Sequence, residues 1–397
     1  LPSFLNTIRE VRIRHVKETL GRAEAFVIPL EQEDLDALAR LVNVLLAHGI
    51  QLYHVNEPFD AIVVPLAQPL KPLILSLLSS EKWNELSLSY SFGVKILDLQ
   101  SLPQHQKERM ADAVLRPVRS FSPPKAEVLG AEKGISEGFY AIPNINSGVK
   151  LANSLLRLGI PVYWMSRPTE VLKTTLKPGT FIAHIDSPES AAKFKKYLNS
   201  TLRVVKMPDG VEFKGYELLS PRVALYSGQG ANERCLMFKA HVRWALERLN
   251  FSFREVDEQA IKAGALKDFD ILVMPDGDAK EMLNGWRDDI LWNQFPWELP
   301  GEPSGLGEEG IKTLREFVSN GGGYLGIGAG AAFACKEMAN LIDAEVRAHS
   351  LGQARVYLKI VDKKNPIVFG YDGFVDEKGV KVDLIPAYYY SEPSLMW

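Results

Sequence analysis

The stretch Gly321-Gly-Gly-Tyr-Leu-Gly-Ile-Gly-Ala-Gly-Ala-Ala-Phe333 decides the fold. It follows an amphipathic run from Glu308 to Ser319, in which Ile311, Leu314, Phe317 and Val318 share one helical face. Asn320 and Gly321 fit a helix C-cap. A short apolar strand comes next, then a glycine turn, then small residues that open another helix. This is the setting of a nucleophile elbow, where a Ser or Cys sits on a strained turn above a sheet. Gly328 holds that position and brings no side chain, so the turn has the shape for covalent chemistry without the attacking atom.

Upstream, the chain alternates strand and helix. Arg222 to Tyr226 reads as a strand and Ser227-Gly-Gln-Gly230 as a turn. Asn232 is placed to cap a helix with Leu236, Ala240 and Trp244 along one stripe. Phe251 to Val256 and Asp268 to Met274 read as the next two strands, the latter ending in Pro275-Asp276-Gly277. In a doubly wound sheet, ligands sit outside the carboxyl ends of the strands. Gly228, Asp276, Gly277, Gly328 and Ala329 are therefore expected to line one ligand-binding crevice. The loop from Gly285 to Gly307 carries Trp286, Trp292, Phe295 and Trp297. Trp292, Phe295 and Trp297 can either stack a peptide or carbohydrate ligand or pack the loop down. Tyr388 to Tyr390 pose the same choice, with a buried final strand as the plainer reading.

The first half of the chain repeats itself. Leu41-Val-Asn-Val-Leu-Leu-Ala-His-Gly-Ile-Gln-Leu-Tyr53 parallels Leu151-Ala-Asn-Ser-Leu-Leu-Arg-Leu-Gly-Ile-Pro-Val-Tyr163. Each follows a strand ending in Ile-Pro, at Ile28-Pro29 and Ile142-Pro143, and each precedes a strand and a second helix. Such self-similarity marks one supersecondary unit used twice. Strands alternating with helices predict parallel sheets in both units. The fold class expected is α/β: two tandem repeated small α/β units, then a flavodoxin-like doubly wound domain. The boundaries are 1–22 for a terminal helix, 23–101 for the first unit, 102–137 for a proline-bearing linker with one helix, 138–220 for the second unit, and 221–397 for the third region. The polar start, with Ile8, Val11, Val16 and Leu20 on one side, reads as the last helix of an upstream domain.

Composition narrows the function classes. The chain has 397 residues and a net charge of -3, which gives no basis for a nucleic-acid or polyanion binder. No run approaches the roughly 20 apolar residues of a membrane span, so no membrane partner is expected. Cys235 and Cys335 stand far apart on predicted helices, and whether they pair is open. His54-Val-Asn-Glu57 has the His-x-x-Glu spacing of a zinc site, and the context of His349 adds a second echo. Catalytic zinc needs three convergent ligands, so a surface turn is preferred and no metal is assigned. Gly326-x-Gly328-x-x-Ala331, with Asp343 or Glu345 downstream, satisfies a loose dinucleotide fingerprint. It follows the fourth strand of its region rather than the first, so close backbone packing is the preferred reading.

The third region resembles the class I glutamine amidotransferase-like domain, whose Gly-Ile-Cys-x-Gly elbow aligns with Gly326-Ile327-Gly328-Ala329-Gly330. Gly328 replaces the cysteine, so the resemblance implies a pseudoenzyme that forms no thioester. The whole layout is also similar to the downstream region of bacterial zinc carboxypeptidase-like proteins, related to carboxypeptidase A. The strings that carry this are Phe26-Val-Ile-Pro, Val63-Val-Pro-Leu-Ala-Gln-Pro69 and Gly307-Glu-Glu-Gly-Ile-Lys-Thr-Leu-Arg-Glu-Phe-Val318. That resemblance implies a non-catalytic accessory region that supports assembly or substrate binding. Its partner would be an upstream metallopeptidase domain, with zinc there and no cofactor in this chain. It also implies a secreted or periplasmic setting and leaves homo-oligomers open. The alternative is a small-molecule or nucleotide-binding enzyme using the strand-end crevice.

Overall fold

The computed structural model describes residues 24–79, 88, 92–123, 128–132, 134–198, 201–231, 236–285, 305–346, 353–368, 371, 374–375, 381–382 and 385–390. The chain is a mixed α/β protein with several sheets. It divides into two compact units. One comprises residues 1–148, 161–217 and 349–397, the other 149–160 and 218–348. The proposed terminal helix before residue 23 lies outside the described residues. No helix among the described residues is long and apolar enough to cross a membrane.

The first unit begins with β1 (Ala25–Pro29), α1 (Leu35–Ala47), β2 (Leu52–Val55) and β3 (Ala61–Pro65). Asp34 caps α1 by accepting from the backbone N–H groups of Asp36 and Ala37. Leu35, Leu38, Leu41, Val42 and Leu45 are buried along the inner face of α1, as their spacing predicts. The helix α2 (Lys71–Leu78) follows, then β4 (Leu97–Asp98), α3 (Gln104–Asp112) and β5 (Arg116–Val118). The strand order is β4-β1-β3-β2-β5. All four neighbouring pairs are antiparallel, which corrects the expected parallel pairing. The reason is chain direction. The crossover through α1 leaves β1 and β2 pointing the same way, but the short return from Val55 to Ala61 sends β3 back between them. Pro117 cannot donate to a ladder, and β5 accordingly forms the edge of the sheet.

The second sheet has the order β13-β8-β11-β7-β12-β6. Its strands are β6 (Val128–Leu129), β7 (Gly138–Ile142), β8 (Val162–Met165), β11 (Phe181–Ile185), β12 (Val204–Lys206) and β13 (Gly215–Glu217). A separate two-stranded ribbon pairs β9 (Thr169–Val171) with β10 (Thr174–Leu176). Only β12 and β6 run parallel in the larger sheet. The helix α4 (Asn146–Arg157) lies between β7 and β8, and α5 (Pro188–Tyr197) follows β11 with a Ser187–Ser190 capping box.

The other unit holds a four-stranded, wholly parallel sheet in the order β15-β14-β16-β17. Its strands are β14 (Val223–Tyr226), β15 (Phe253–Val256), β16 (Ile271–Met274) and β17 (Gly323–Gly326). Side chains alternate between two cores. Ala224, Tyr226, Leu272 and Met274 face one side, with Ile261 of α7 (Glu258–Lys262), Met282 of α8 (Ala279–Asn284), Leu314 of α9 (Gly307–Ser319) and Phe333 of α10 (Ala329–Phe333). Val223, Leu225 and Val273 face the other side, against Val242 and Leu246 of α6 (Leu236–Arg248). The expected stripe on α6 is corrected here: Trp244 is 58% exposed, with the Arg248 guanidinium over its ring. Asn232 and Cys235 lie outside the described residues. Cys335 is buried and unpaired by a disulfide. Later in the chain, within the unit that also holds residues 1–148, β18 (Gln353–Leu358) pairs antiparallel with β21 (Ile385–Tyr390), and β19 (Phe374–Val375) with β20 (Lys381–Val382).

At the amino ends of β14 and β16, Arg222 grips Asp270. Its backbone N–H donates to Asp270 Oδ2 at 2.8 Å and its guanidinium to Oδ1 at 2.6 Å. Hydrogen bonds from the Arg222 side chain, then from its backbone, hold the Asp270 carboxyl down to about 2. A lowered carboxyl stabilises the fold fully above its unfolded value and loses that contribution as pH falls through the folded one. Both side chains are well exposed, so solvent screens the pair and it adds little to stability. We expect Asp270→Asn to cost that little at neutral pH and to flatten the loss of stability between about pH 4 and pH 2. Urea melts across that range check it.

Candidate functional site at the strand ends

At the carboxyl end of the parallel sheet, β14 runs into Ser227-Gly228, β16 into Pro275-Asp276-Gly277, and β17 into Ile327-Gly328-Ala329. The Asp276 carboxylate ties two of these turns together. Its Oδ1 accepts from the Ala329 backbone N–H at 2.6 Å and from the Gly277 N–H at 2.9 Å. Charge-assisted bonds of this length are roughly twice as strong as neutral ones. Asp276 thus joins two strand-end turns through its carboxylate.

Gly328 is held at φ 54° and ψ -117°, a region open to glycine and closed to other residues without strain. A Cβ built there would stand 2.2 Å from Asp276 Cγ and 2.2 Å from Oδ1. Two independent constraints therefore keep position 328 bare: the backbone angle and the carboxylate in front of it. The volume that a nucleophile's side chain would fill is occupied by Asp276. The turn also lies close to its neighbours, with Tyr324 Oη donating to the Gly330 carbonyl at 2.7 Å. Burial, and then the nearby Cys335, push that phenol well above its ordinary range.

Gly228 sits in a second tight corner that the sequence did not reveal. A Cβ there would stand 1.9 Å from Glu258 Oε2 and 2.7 Å from the Tyr226 hydroxyl. Glu258 is buried, and its Oε2 accepts from the Gln229 N–H at 3.1 Å. Tyr226 Oη donates to the Gln229 carbonyl at 2.9 Å. Burial, followed by the charge of Glu258, raises that phenol beyond its normal range. Glu258 was illegible as a site residue because it begins a short helix behind Asp257, where an acidic residue reads as a first-turn charge. A cavity of about 510 Å3 opens at the opposite end of this sheet, where Arg222 and Asp270 stand.

Residues 221–349 match the protein-family model described as "Biotin-protein ligase, N terminal". That stretch is about a third of the chain and takes in the parallel sheet and its strand-end turns. No curated protein matches the chain. No solved structure matches it.

The biotin-protein ligase match overturns three expectations of the sequence analysis. The chain's third region is not assigned as a glutamine amidotransferase-like domain, and the chain is not the downstream region of a zinc carboxypeptidase-like protein. The accessory role for a metallopeptidase falls with it, as do the peptidase and amidotransferase labels. The physical reason for the misreading is generic geometry. A strand that must turn sharply into a helix needs glycines whatever chemistry follows, and Phe-Val-Ile-Pro strings are ordinary strand exits.

The remaining candidates are dispersed. His54 Nε2 faces Asp60 Oδ1 at 3.5 Å, whereas Glu57 pairs with Arg109 at 2.8 Å, so the two ends of His-x-x-Glu serve different partners. Among the described residues no group of three His, Cys, Asp or Glu is placed to hold a metal. Asp343 of the nucleotide fingerprint is paired with Lys336. His184 stacks on Phe139 with ring centroids 4.4 Å apart. Trp286, Trp292, Phe295, Trp297 and His349 lie outside the described residues, as do the side chains of Tyr388 to Tyr390.

Proposed function

We propose that residues 221–349 serve protein biotinylation, and that they do so by recognition rather than by making bonds. The observation that carries the first part is the match of these residues to the N-terminal region of biotin-protein ligase. The second part is supported by Gly328, which offers no attacking atom, and by Asp276, whose carboxylate already holds the Gly277 and Ala329 amides. On this reading the rim around Gly228, Asp276, Gly277, Gly328 and Ala329 is a ligand-facing surface whose shape is fixed by internal hydrogen bonds. The partner is the catalytic region of a biotin-protein ligase.

Two finer readings of the fold belong with this proposal. Four parallel strands in the order β15-β14-β16-β17, with helices on both faces, support a flavodoxin-like doubly wound domain. The central order β1-β3-β2 recurs as β7-β11-β8, each set with a helix between its first two strands, and supports two tandem repeated units.

The test is a biotin-incorporation assay with a ligase catalytic region, a biotin-accepting domain, biotin and ATP. Without ligase the chain is expected to transfer no biotin. With ligase it is expected to bind in size-exclusion chromatography and to change KM for the acceptor by about threefold or more, near 0.7 kcal/mol. Transfer by the chain alone, lost in Asp276→Ala, overturns the recognition reading. Absence of both binding and rate change overturns the role in biotinylation.

A further inference from the structure

In the unit that holds the five-stranded and six-stranded sheets, a cavity of about 1320 Å3 opens beside the first of them. Cationic side chains reach its lining from four places in the chain: Lys95 before β4, Arg116 on β5, Arg119 just after it, and Arg203 before β12. The register accounts for Arg116. It stands opposite His54 on β2, and His54 stands opposite Ile62 on β3, so the three share one face of the sheet. Two carboxylates, Glu31 and Asp60, also line the cavity, and Asp60 is turned toward His54 at 3.5 Å. Among the described residues no carboxylate lies within ion-pair distance of Arg116, Arg119 or Arg203. Phe59, Leu102 and Phe121 supply apolar wall.

Guanidinium groups present forked donors that fit carboxylate and phosphate oxygens in pairs. Three of them on one concave surface, contributed by two segments more than eighty residues apart and, among the described residues, without acidic partners, form a donor-rich site beside aromatic wall. The volume exceeds the roughly 300–1,000 Å3 of an ordinary small-molecule pocket, so the ligand can be a sizeable one. We infer that this cavity is a binding site for an organic anion, a molecule with an apolar body and a carboxylate or phosphate group. The site lies outside residues 221–349 and does not rest on the biotinylation proposal.

Phenyl phosphate and benzoate are the probes, with benzyl alcohol as the neutral counterpart, titrated against the full chain by calorimetry and thermal shift. Phenyl phosphate, benzoate or both are expected to bind and raise the melting temperature by mass action. Raising the salt is expected to weaken them, and benzyl alcohol to leave the melting temperature unchanged. The exposed double variant Arg116→Gln/Arg119→Gln is expected to melt normally without ligand and to bind at least about tenfold more weakly. Lys195→Gln, an exposed charge removed elsewhere on α5, keeps the wild-type affinity. Retained affinity in the double variant, equal binding of benzyl alcohol, or no binding of either anion at about 10 mM overturns the assignment.

Discussion

Gly328→Ala destabilises the protein by about 3 kcal/mol or more, the combined cost of a strained backbone and an overlapping side chain. The first contribution comes from φ 54° and ψ -117°, where an L-residue pays of order 1–3 kcal/mol. The second comes from Asp276, whose Cγ and Oδ1 lie 2.2 Å from where the new methyl would stand. No real contact is that short, so either the carboxylate leaves the Gly277 and Ala329 amides or the turn shifts. Both routes surrender hydrogen bonds. Urea denaturation of the wild type and the variant measures the sum, and Gly328→Cys is expected to lose at least as much.

Asp276→Ala is the second large effect, expected at about 2–3 kcal/mol. The substitution removes one acceptor but leaves two backbone donors, Gly277 N–H and Ala329 N–H, that were bonded at 2.9 and 2.6 Å. Half-buried donors that lose a charged acceptor incur the desolvation penalty of each group, reduced where water can enter. Amide hydrogen exchange localises the loss: the Ala329 and Gly277 amides are expected to exchange faster, while those of β14 stay protected.

Much of this architecture can be read from the residues, because periodicity reports which side chains face a core. The apolar runs Val223-Ala-Leu-Tyr226 and Ile271-Leu-Val-Met274 mark buried strands, whose alternate side chains the fold divides between the two faces of the parallel sheet. The spacing of Leu35, Leu38, Leu41, Val42 and Leu45 gives α1. The four-residue spacing of Ala240 and Trp244 misled, since that pair also suits an exposed face and the inward positions are Val242 and Leu246. Strand direction was not legible, because an apolar run reads the same in a parallel or an antiparallel neighbour. The return at 56–60 that inserts β3 carries a connection length but no pattern that fixes the pairing partner.

The places of the candidate residues at strand ends were legible, and their contacts were not. Glycine spacing located Gly228, Gly277 and Gly328 at strand ends, since sharp turns demand them. The sequence could not show that Asp276 folds back onto its own turn, because an Asp after a strand reads as a turn former in any case. Nor could it show that Arg116, Arg119 and Arg203 meet in one cavity, which depends on the packing of distant strands. The family match entered through residues 221–349 as a whole rather than through any short motif.

The direct test of a carboxylate-filled turn is the coupling between positions 276 and 328, from the stabilities of the wild type, Gly328→Ala, Asp276→Ala and the double variant. Ala at 276 removes all three atoms that the new methyl would strike. The filled turn predicts that Gly328→Ala costs about 1–2 kcal/mol less in the Asp276→Ala background than in the wild type. Equal costs in the two backgrounds would contradict it, and the bare position at 328 would then owe nothing to Asp276.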